Sequence, residues 1–377
     1  MYFIWIFIFL FFVYYVESNQ SRTNNSLLRF SFLHNRFVLF FFFFLFSFLL
    51  GLQYCVGTDY LTYVKLFSEN GPSLLYFRKK EYFFYYLCQI LITNGIHPQI
   101  GFLLISIIQF SCICIFVNFL KLKSNILFFF LFFTVSTFFF NQTNGIRQYT
   151  AATILLLFVK YTYEKRYIRM IISLICASMF HSSAMLFLPV LLIVKFLKKN
   201  LHSFIWIVYL LVSVMMIKVN FISLIISLIP FLSRYSHYLD SVWGTNQISL
   251  ISILTKIIYV PFYLFSLKSL KKLDNKKDIM LFQFGFLSYG IKLICLSSPI
   301  LNRFVAYFEI FTIFPIYYLF YDMYSKTIKI KYFNQLFVFV FYCITVGLLC
   351  LKTIILPTAE YDYQSIFMAM FKGIYDI

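Results

Sequence analysis

Long apolar runs, separated by short polar loops, form the main pattern of this chain. The runs are continuous rather than alternating, which is typical of transmembrane helices and not of barrel strands. A backbone in hydrocarbon must satisfy its own hydrogen bonds, so each run predicts a helix. The predicted spans cover residues 2–16, 37–56, 82–96, 100–120, 124–140, 148–163, 167–180, 184–197, 202–219, 248–267, 279–297, 304–321 and 333–352.

This pattern predicts an all-α polytopic membrane protein with roughly 11–13 transmembrane helices and a polar cavity at the outer face. Only 12% of the residues are charged, against about 25% in soluble domains. No soluble domain or Gly/Ser/Pro linker interrupts the runs, so the sequence predicts a single integral membrane domain over residues 1–377. An outer loop with an interfacial helix is predicted over residues 220–247, because the apolar stretch 221–232 is too short to cross the membrane.

Basic residues lie mainly in alternate loops, and this sets the predicted orientation. They cluster at residues 121–123, 160–169, 195–199, 268–277 and 326–331, whereas the intervening loops hold few. Cytoplasmic loops of membrane proteins carry the excess of Lys and Arg, so these clusters predict the cytoplasmic side. The net charge of +19 follows from this topology, and no nucleic-acid partner is expected.

The region before residue 82 does not fit this alternation. Counting back from residue 97 puts Arg78–Lys80, and with them Asp59, in the cytoplasm. The basic loop 17–36 favours the opposite side for Asp59. A partly re-entrant stretch over residues 61–77 would reconcile the two, and the membrane side of Asp59 stays open.

Four short polar segments hold the candidate functional residues. They are Gly57–Tyr60 with Tyr63, Asn141–Gln148, Phe180–Ala184, and Asn302–Arg303 with Tyr307. An ionisable side chain at membrane depth costs about 3 kcal/mol or more, so its presence there indicates a function. The predicted orientation puts Arg147, His181 and Arg303 together on the outer face.

Each of these charged residues has a structural alternative. Arg147 begins an apolar stretch with no carboxylate within a helical turn, so it suits an external anion, or else it only caps a helix. Arg303 and Tyr307, four residues apart, are either a phosphate site or a surface pair on one helix face. His181 lies at a break between two apolar stretches. It is a candidate general base, or it only satisfies backbone groups at the break.

The sequence lacks several motifs of other enzyme classes. It contains no Walker A motif, HExxH, GxSxG or acidic DxD pair, which disfavours ATP hydrolysis and metal-assisted hydrolysis. The eight cysteines form no CxxC pair and read as small apolar side chains. No metal or other cofactor is therefore expected.

Taken in order, the polar segments resemble those of the EpsG-like branch of bacterial polysaccharide polymerases, relatives of the Wzy-type O-antigen and capsule polymerases. The matching pieces are Val56–Tyr63, Glu81 at the start of the next span, Ile146–Ala151, Phe180–Ala184, and Arg303 with Tyr307. The tail differs, because it reads Glu360–Tyr363 where a Pro-Tyr pair is expected. The resemblance implies a multi-pass inner-membrane enzyme that joins oligosaccharide repeat units carried on undecaprenyl pyrophosphate.

The resemblance also implies roles for individual residues. Arg147 and Arg303 would bind the pyrophosphate without a metal, and His181 or Asp59 would act as the catalytic base. The candidates for substrate contacts, including aromatic stacking on sugar rings, are Gln148, Tyr60, Tyr63, Tyr307, Arg234 and Trp243. The expected partners are a lipid-linked oligosaccharide and membrane lipid, and a chain-length regulator protein is a further candidate.

Three other functions stay open at this level. A flippase of lipid-linked oligosaccharide also needs an outer cationic cavity, although such flippases tend to show two similar halves, which are not visible here. A membrane acyltransferase acting on glycans would carry its arginine in the first helices. A ligase that attaches finished polymer performs the same chemistry with another acceptor, and the sequence does not separate it from a polymerase.

Overall fold

A computed structural model describes residues 27–69, 73–120, 126–134, 136–218, 250–297, 299–325, 331–351 and 364–365. This described part is helical apart from one pair of two-residue strands, which confirms the all-α prediction for these residues. The chain divides into two compact units. Unit 1 comprises Met1–Leu188 and Leu349–Ile377, and unit 2 comprises Pro189–Leu348.

Unit 1 is built from helices of very different lengths. In chain order they are α1 (Leu27–Gly51), α2 (Tyr60–Ser68), α3 (Leu74–Arg78), α4 (Tyr82–Thr93), α5 (Pro98–Leu120), α6 (Ile126–Thr134), α7 (Thr137–Asn141), α8 (Ile146–Tyr163) and α9 (Tyr167–Phe180), then a 3-10 turn over Ser182–Phe187. Strand β1 (Gln53–Tyr54) pairs antiparallel with β2 (Gln364–Ser365). Phenylalanine rings fill the core. The Phe42 ring, for example, lies 5.5 Å from Phe110 and 4.3 Å from Phe130.

Helices α1 and α5 lie antiparallel, which defines two ends of unit 1. The Ser106 hydroxyl of α5 donates to the Ser47 carbonyl of α1 at 2.8 Å. Where α1 terminates and α5 begins, the Gln99 side-chain amide donates to the carbonyls of Gly51 and Gln53 at 2.5 and 3.0 Å. We call this the site end of unit 1. Strand β1 lies there, so its pairing brings residues 364–365 to the same end.

The segment between α1 and α5 remains at the site end. The Tyr60 ring stacks on Phe102 near the start of α5, with 5.0 Å between centroids. Helix α4 ends with Leu91 in close contact with Gly101, three residues into α5. Its 12 residues span about 18 Å, which is too short to cross about 30 Å of hydrocarbon. The helix is thus shorter than the predicted span 82–96, and the crossing at this span stays a prediction.

Unit 2 contains the remaining described helices. They are α10 (Val190–Phe196), α11 (Ser203–Met215), α12 (Leu250–Ile257), α13 (Val260–Leu270), α14 (Lys276–Ile294), α15 (Pro299–Val305), α16 (Ile313–Ser325) and α17 (Lys331–Cys350). Its core includes parallel Tyr263 and Tyr289 rings with 3.6 Å between centroids. Gly285 lies directly against the Phe311 carbonyl and Pro315, where an added Cβ would clash.

Three predicted spans are interrupted in the structure. The span 184–197 is a 3-10 turn that ends at Phe187, followed by Pro189 and then α10. The span 124–140 is divided between α6 and α7, and the Ser136 hydroxyl caps α7 by accepting from the Phe139 amide. The span 304–321 is divided between α15 and α16, with a 3-10 turn between them.

By length and composition, two helices of the described part could cross a membrane, Pro98–Leu120 and Ser252–Leu270. Shorter apolar helices include Phe37–Gly51, Tyr167–Phe180 and Ser203–Met215. The predicted span 2–16 and the predicted outer loop 220–247 lie outside the described residues. The count of 11–13 transmembrane helices and the single membrane domain stay predictions.

Candidate functional site

Glu81 is the centre of a buried polar cluster at the site end of unit 1. Its side chain is 2% exposed, and one carboxylate oxygen forms an ion pair with Nη1 of Arg147. The other oxygen accepts hydrogen bonds from the backbone N–H and the hydroxyl of Ser182, at 3.0 and 3.1 Å. Nδ1 of His181 lies 3.5 Å from the same oxygen. We call Glu81, Arg147, His181 and Ser182 the Glu81 cluster.

Helix ends position every member of this cluster. Glu81 immediately precedes α4, Arg147 is the second residue of α8, and His181 terminates α9 in an extended conformation with φ −149°. The first N–H groups after a helix break have no partner within the helix. The Ser182 N–H is satisfied by the Glu81 carboxylate, so the break predicted at residues 180–184 is stabilised by a distant acidic side chain.

Arg147 is held by aromatic rings as well as by Glu81. Its guanidinium carbon lies 4.2 Å from the ring centroid of Tyr76 and 5.2 Å from that of Phe84, within the range of cation–π attraction. The Tyr63 hydroxyl is hydrogen-bonded to the guanidinium. Nε of Arg147 is buried and has no hydrogen-bond partner among the residues that the structure describes. That donor is therefore unsatisfied in the described part of the structure.

The Tyr63 phenol is neutral in this environment. Burial raises the pKa of Tyr63 above its usual value, and the positive charge of Arg147 lowers it by less. The phenol therefore keeps its proton at neutral pH, and its oxygen accepts from the guanidinium. Its own O–H can donate to a negatively charged group beside Arg147.

His181 is arranged as a base would be. Its ring is 25% exposed, and Nδ1 lies 3.2 Å from the Ser183 hydroxyl in addition to Glu81. A carboxylate beside Nδ1 favours the tautomer that carries hydrogen there, which gives Nε2 the lone pair. The imidazole can then accept a proton at Nε2 while Glu81 stabilises the resulting positive charge.

Asp59 lies in a neighbouring turn at the same end. Its backbone N–H donates to Oδ1 of Asn144 at 2.9 Å, and the Thr58 hydroxyl approaches the same oxygen at 3.3 Å. Gly57 has φ +79° and faces Asn144 closely. The first polar segment therefore meets the second, three residues before Arg147. The role of Asp59 as a base stays a prediction.

A model of the EpsG family matches residues 36–364, which is most of the chain and includes the whole Glu81 cluster. The chain belongs to the EpsG family. No curated protein and no solved structure matches it. Membership supports a role in polysaccharide biosynthesis and association with a membrane.

Tyr60 and Gln148, two further predicted site residues of this EpsG-family protein, lie in unit 1. Tyr60 is 1% exposed, stacks on Phe102 and approaches the side-chain oxygen of Gln99 with its hydroxyl at 3.4 Å. Gln148 is half-buried beside Arg147. Arg234 and Trp243 lie outside the described residues. The substrate contacts assigned to these side chains stay predictions.

Arg303 and Tyr307 belong to unit 2. They were expected to share one helix face, but the structure shows that they do not. Helix α15 ends at Val305, so the chain leaves helical geometry between the two residues. Arg303 is exposed, whereas Tyr307 is 1% exposed. Their roles in pyrophosphate and substrate binding stay predictions.

The sequence interpretation missed a buried ion pair in unit 2. Nζ of Lys292 lies 2.6 Å from Glu309, with the two side chains 13% and 5% exposed. Lys292 and Glu309 each interrupt an apolar run, and such a charge within an apolar run was the sequence signal that could have indicated a buried ion pair. Glu81 offered the same signal, a charged residue at the start of an apolar run, but its pairing with Arg147 was not predicted. Within the described ranges, no three His, Cys, Asp or Glu side chains gather as metal ligands.

Proposed function

We propose that this EpsG-family protein joins lipid-pyrophosphate-linked oligosaccharide repeat units at the outer face of the bacterial inner membrane, as a multi-pass protein. The observation that carries the proposal is the Glu81 cluster, in which one buried carboxylate holds both a cation and an imidazole. Family membership supports a polymerase of polysaccharide. The undecaprenyl carrier, the membrane side and the absence of a metal are parts of the proposal.

Arg147 is suited to the leaving group of this reaction. The bond between the donor sugar C1 and the pyrophosphate oxygen breaks, and its electron pair goes to the pyrophosphate. Donors placed where charge develops stabilise the transition state. The Nε–H of Arg147 and the O–H of Tyr63 are two such donors. A guanidinium can hold phosphate through several N–H groups at once, which lysine cannot.

His181 is suited to the acceptor. A hydroxyl of the second repeat unit attacks C1, the new glycosidic bond forms, and the hydroxyl proton passes to Nε2 of His181. Glu81 stabilises the imidazolium from the Nδ1 side, as a carboxylate does in a Ser-His-Asp triad. Glu81 is thus a positioning residue that touches neither substrate. Because it also binds Arg147, it fixes the base relative to the phosphate site.

The course of the chain supports an outer location for the cluster. In the sequence, basic residues 121–123 follow α5, and basic residues 160–169 cover the end of α8 and the start of α9; both α5 and α8 end opposite the site end. The positive-inside rule then puts the site end outside. The proposal keeps α4 at the site end, so it puts Arg78–Lys80 outside and the basic loop 17–36 inside.

The experiment that tests the proposal is His181→Ala in cells, with His202→Ala as a matched histidine variant in unit 2. A base acts at the chemical step, so His181→Ala is expected to leave single repeat units exposed on the outer leaflet and unjoined. His202→Ala is expected to keep long polymer. Leaflet exposure of the lipid-linked unit and the protein level are measured together.

Each alternative gives a different result. Repeat units that remain inward-facing while the variant protein is abundant would indicate a flippase and overturn the proposal. Long polymer that accumulates on its lipid carrier would indicate a ligase. If His181 only satisfies the hydrogen bonds of backbone groups at the helix break, residual joining activity should fall in proportion to the amount of folded protein.

A further inference from the structure

A cleft of about 670 Å³ lies between α2 and α3, next to the Glu81 cluster. Its lining includes four leucines and two cations, namely Leu61, Leu66, Leu74, Leu75, Lys65 and Arg78. This volume is within the usual range for sites that bind small molecules. Among the described residues that line the cleft, none is acidic.

The mouth of the cleft is amphipathic. Leu61, Leu74 and Leu75 expose between 51% and 62% of their surface, and Lys65 and Arg78 are also exposed. Apolar side chains that face outward beside basic ones are typical of segments at the boundary between headgroups and acyl chains. The cleft therefore complements a molecule with an anionic head and an apolar body.

We propose that the cleft binds one anionic phospholipid of the surrounding bilayer. Its phosphodiester would contact Lys65 and Arg78, and its acyl chains would lie against the leucines. The inference rests on the proposed insertion of the chain in a membrane, and it does not depend on the glycosyl-transfer reaction.

Tyr76 connects this cleft to the Glu81 cluster. Tyr76 is one of the residues that line the cleft, and the guanidinium of Arg147 lies 4.2 Å from the centroid of its ring. A bound lipid would restrict the movement of Tyr76 and therefore of Arg147. Joining of repeat units is then expected to be faster in bilayers that contain anionic phospholipid than in purely zwitterionic ones.

The test is native mass spectrometry of the full-length protein released from bilayers of phosphatidylglycerol and phosphatidylcholine. The variant Lys65→Gln/Arg78→Gln is compared with Lys79→Gln/Lys80→Gln, which removes the same charge from neighbouring positions outside the cleft lining. The first variant is expected to bind its most tightly held phosphatidylglycerol about tenfold more weakly than the second. Unchanged circular dichroism shows that both variants are folded, and Lys65→Arg/Arg78→Lys should restore binding.

Equal retention of phosphatidylglycerol by the two Gln variants would overturn the proposal. Equal retention of the two lipids by the wild-type protein would also overturn it, and this readout needs no variant to fold. If equimolar polyprenyl phosphate displaces the bound phosphatidylglycerol, the cleft belongs to the lipid-linked substrate instead. Loss of the lipid site with joining intact would overturn the coupling through Tyr76 but leave the proposed function standing, and loss of joining with the lipid site intact would leave the lipid site standing.

Discussion

At the residue scale, the proposed chemistry depends on Glu81, because one carboxylate is shared between Arg147 and His181. Breaking a buried pair by removing one partner leaves an uncompensated charge, which typically costs about 3–5 kcal/mol. The Arg147 side chain is 17% exposed, so solvent partly screens the charge of the ion pair between Arg147 and Glu81. The cost of removing one partner should therefore be near the lower limit of this range. Chemical and structural effects can therefore be separated at these positions.

Glu81→Gln preserves the shape of the side chain and removes its charge. His181 then loses the anion that stabilises its imidazolium, so joining of repeat units is expected to fall by roughly 10²–10⁴-fold. The measurement is the joining rate of purified protein in vesicles, with the exposed Glu69→Gln as control. A folded Glu81→Gln variant that joins repeat units at the wild-type rate would exclude the positioning role.

Arg147→Ala is expected to abolish long polymer and to let single lipid-linked repeat units accumulate, also after correction for the amount of folded protein. Arg147→Lys should rescue this only partly, because an ammonium lacks the planar fork that binds two phosphate oxygens. Exposed Arg169→Ala on α9 serves as the control. Gel analysis of cell-surface polymer is the measurement, and full-length polymer from a stable Arg147→Ala protein would rule out the phosphate role.

At the element scale, the site is formed by the ends of helices, two of which begin there and one of which ends there. Helix α4 begins after Glu81, α8 begins at Ile146, and α9 ends at Phe180, so all three ends present polar groups to one another. The turn before α2 is attached to the turn before α8 through Asn144. A change in that attachment should therefore affect the arrangement of the helix starts.

Gly57→Ala tests this attachment, with Gly95→Ala as the matched variant. Both glycines have positive φ, +79° and +60°, so both substitutions carry a conformational cost of about 1–2 kcal/mol. A Cβ at Gly57 would lie 2.6 Å from Oδ1 of Asn144, whereas no atom of the described residues lies within 4 Å of a Cβ at Gly95. Gly57→Ala should thus lower the free energy of unfolding by about 1–3 kcal/mol more than Gly95→Ala. Denaturant unfolding in detergent measures the difference, and equal losses would contradict the prediction.

At the scale of the whole molecule, unit 1 gathers distant parts of the chain at one end. The segment between α1 and α5 never leaves the site end, and β2 returns residues 364–365 to it. Asp59, Arg147 and His181 therefore share one side of unit 1, whichever membrane side that is. This arrangement makes the topology testable at positions where sequence reasoning gave opposite answers.

Single cysteines at Lys80 and Asn144, in a protein without its native cysteines, should both react with an impermeant thiol reagent added outside. A cysteine at Lys165, at the opposite end of α8, should react only after the membrane is opened. Reporters fused after Lys199 and Lys272 should be cytoplasmic, and one near Thr245 external. An external signal at Lys272, or protection at Lys80 with labelling at Asn144, would overturn the topology.

The sequence by itself determined the helical class, the positions of the polar segments and the family. These properties are local, because hydropathy and charge along a stretch already indicate whether it is helical, buried or exposed. The breaks near Phe180–Ser183 and the candidate residues Arg147 and His181 were predicted on that basis. A partly re-entrant stretch over residues 61–77 was predicted as a way to reconcile two conflicting charge rules, and it stays a prediction together with the membrane side of Asp59.

Only the tertiary structure decided which charged groups meet. Glu81 is 66 residues from Arg147 and 101 from Ser182 in sequence, so no local pattern relates them. The same holds for Lys292 and Glu309, which lie on separate helical segments of unit 2. Hydropathy indicates that a segment is buried, but the partner of a buried charge depends on how the helices pack. A charge is tolerated there when packing brings its counterpart within hydrogen-bonding distance.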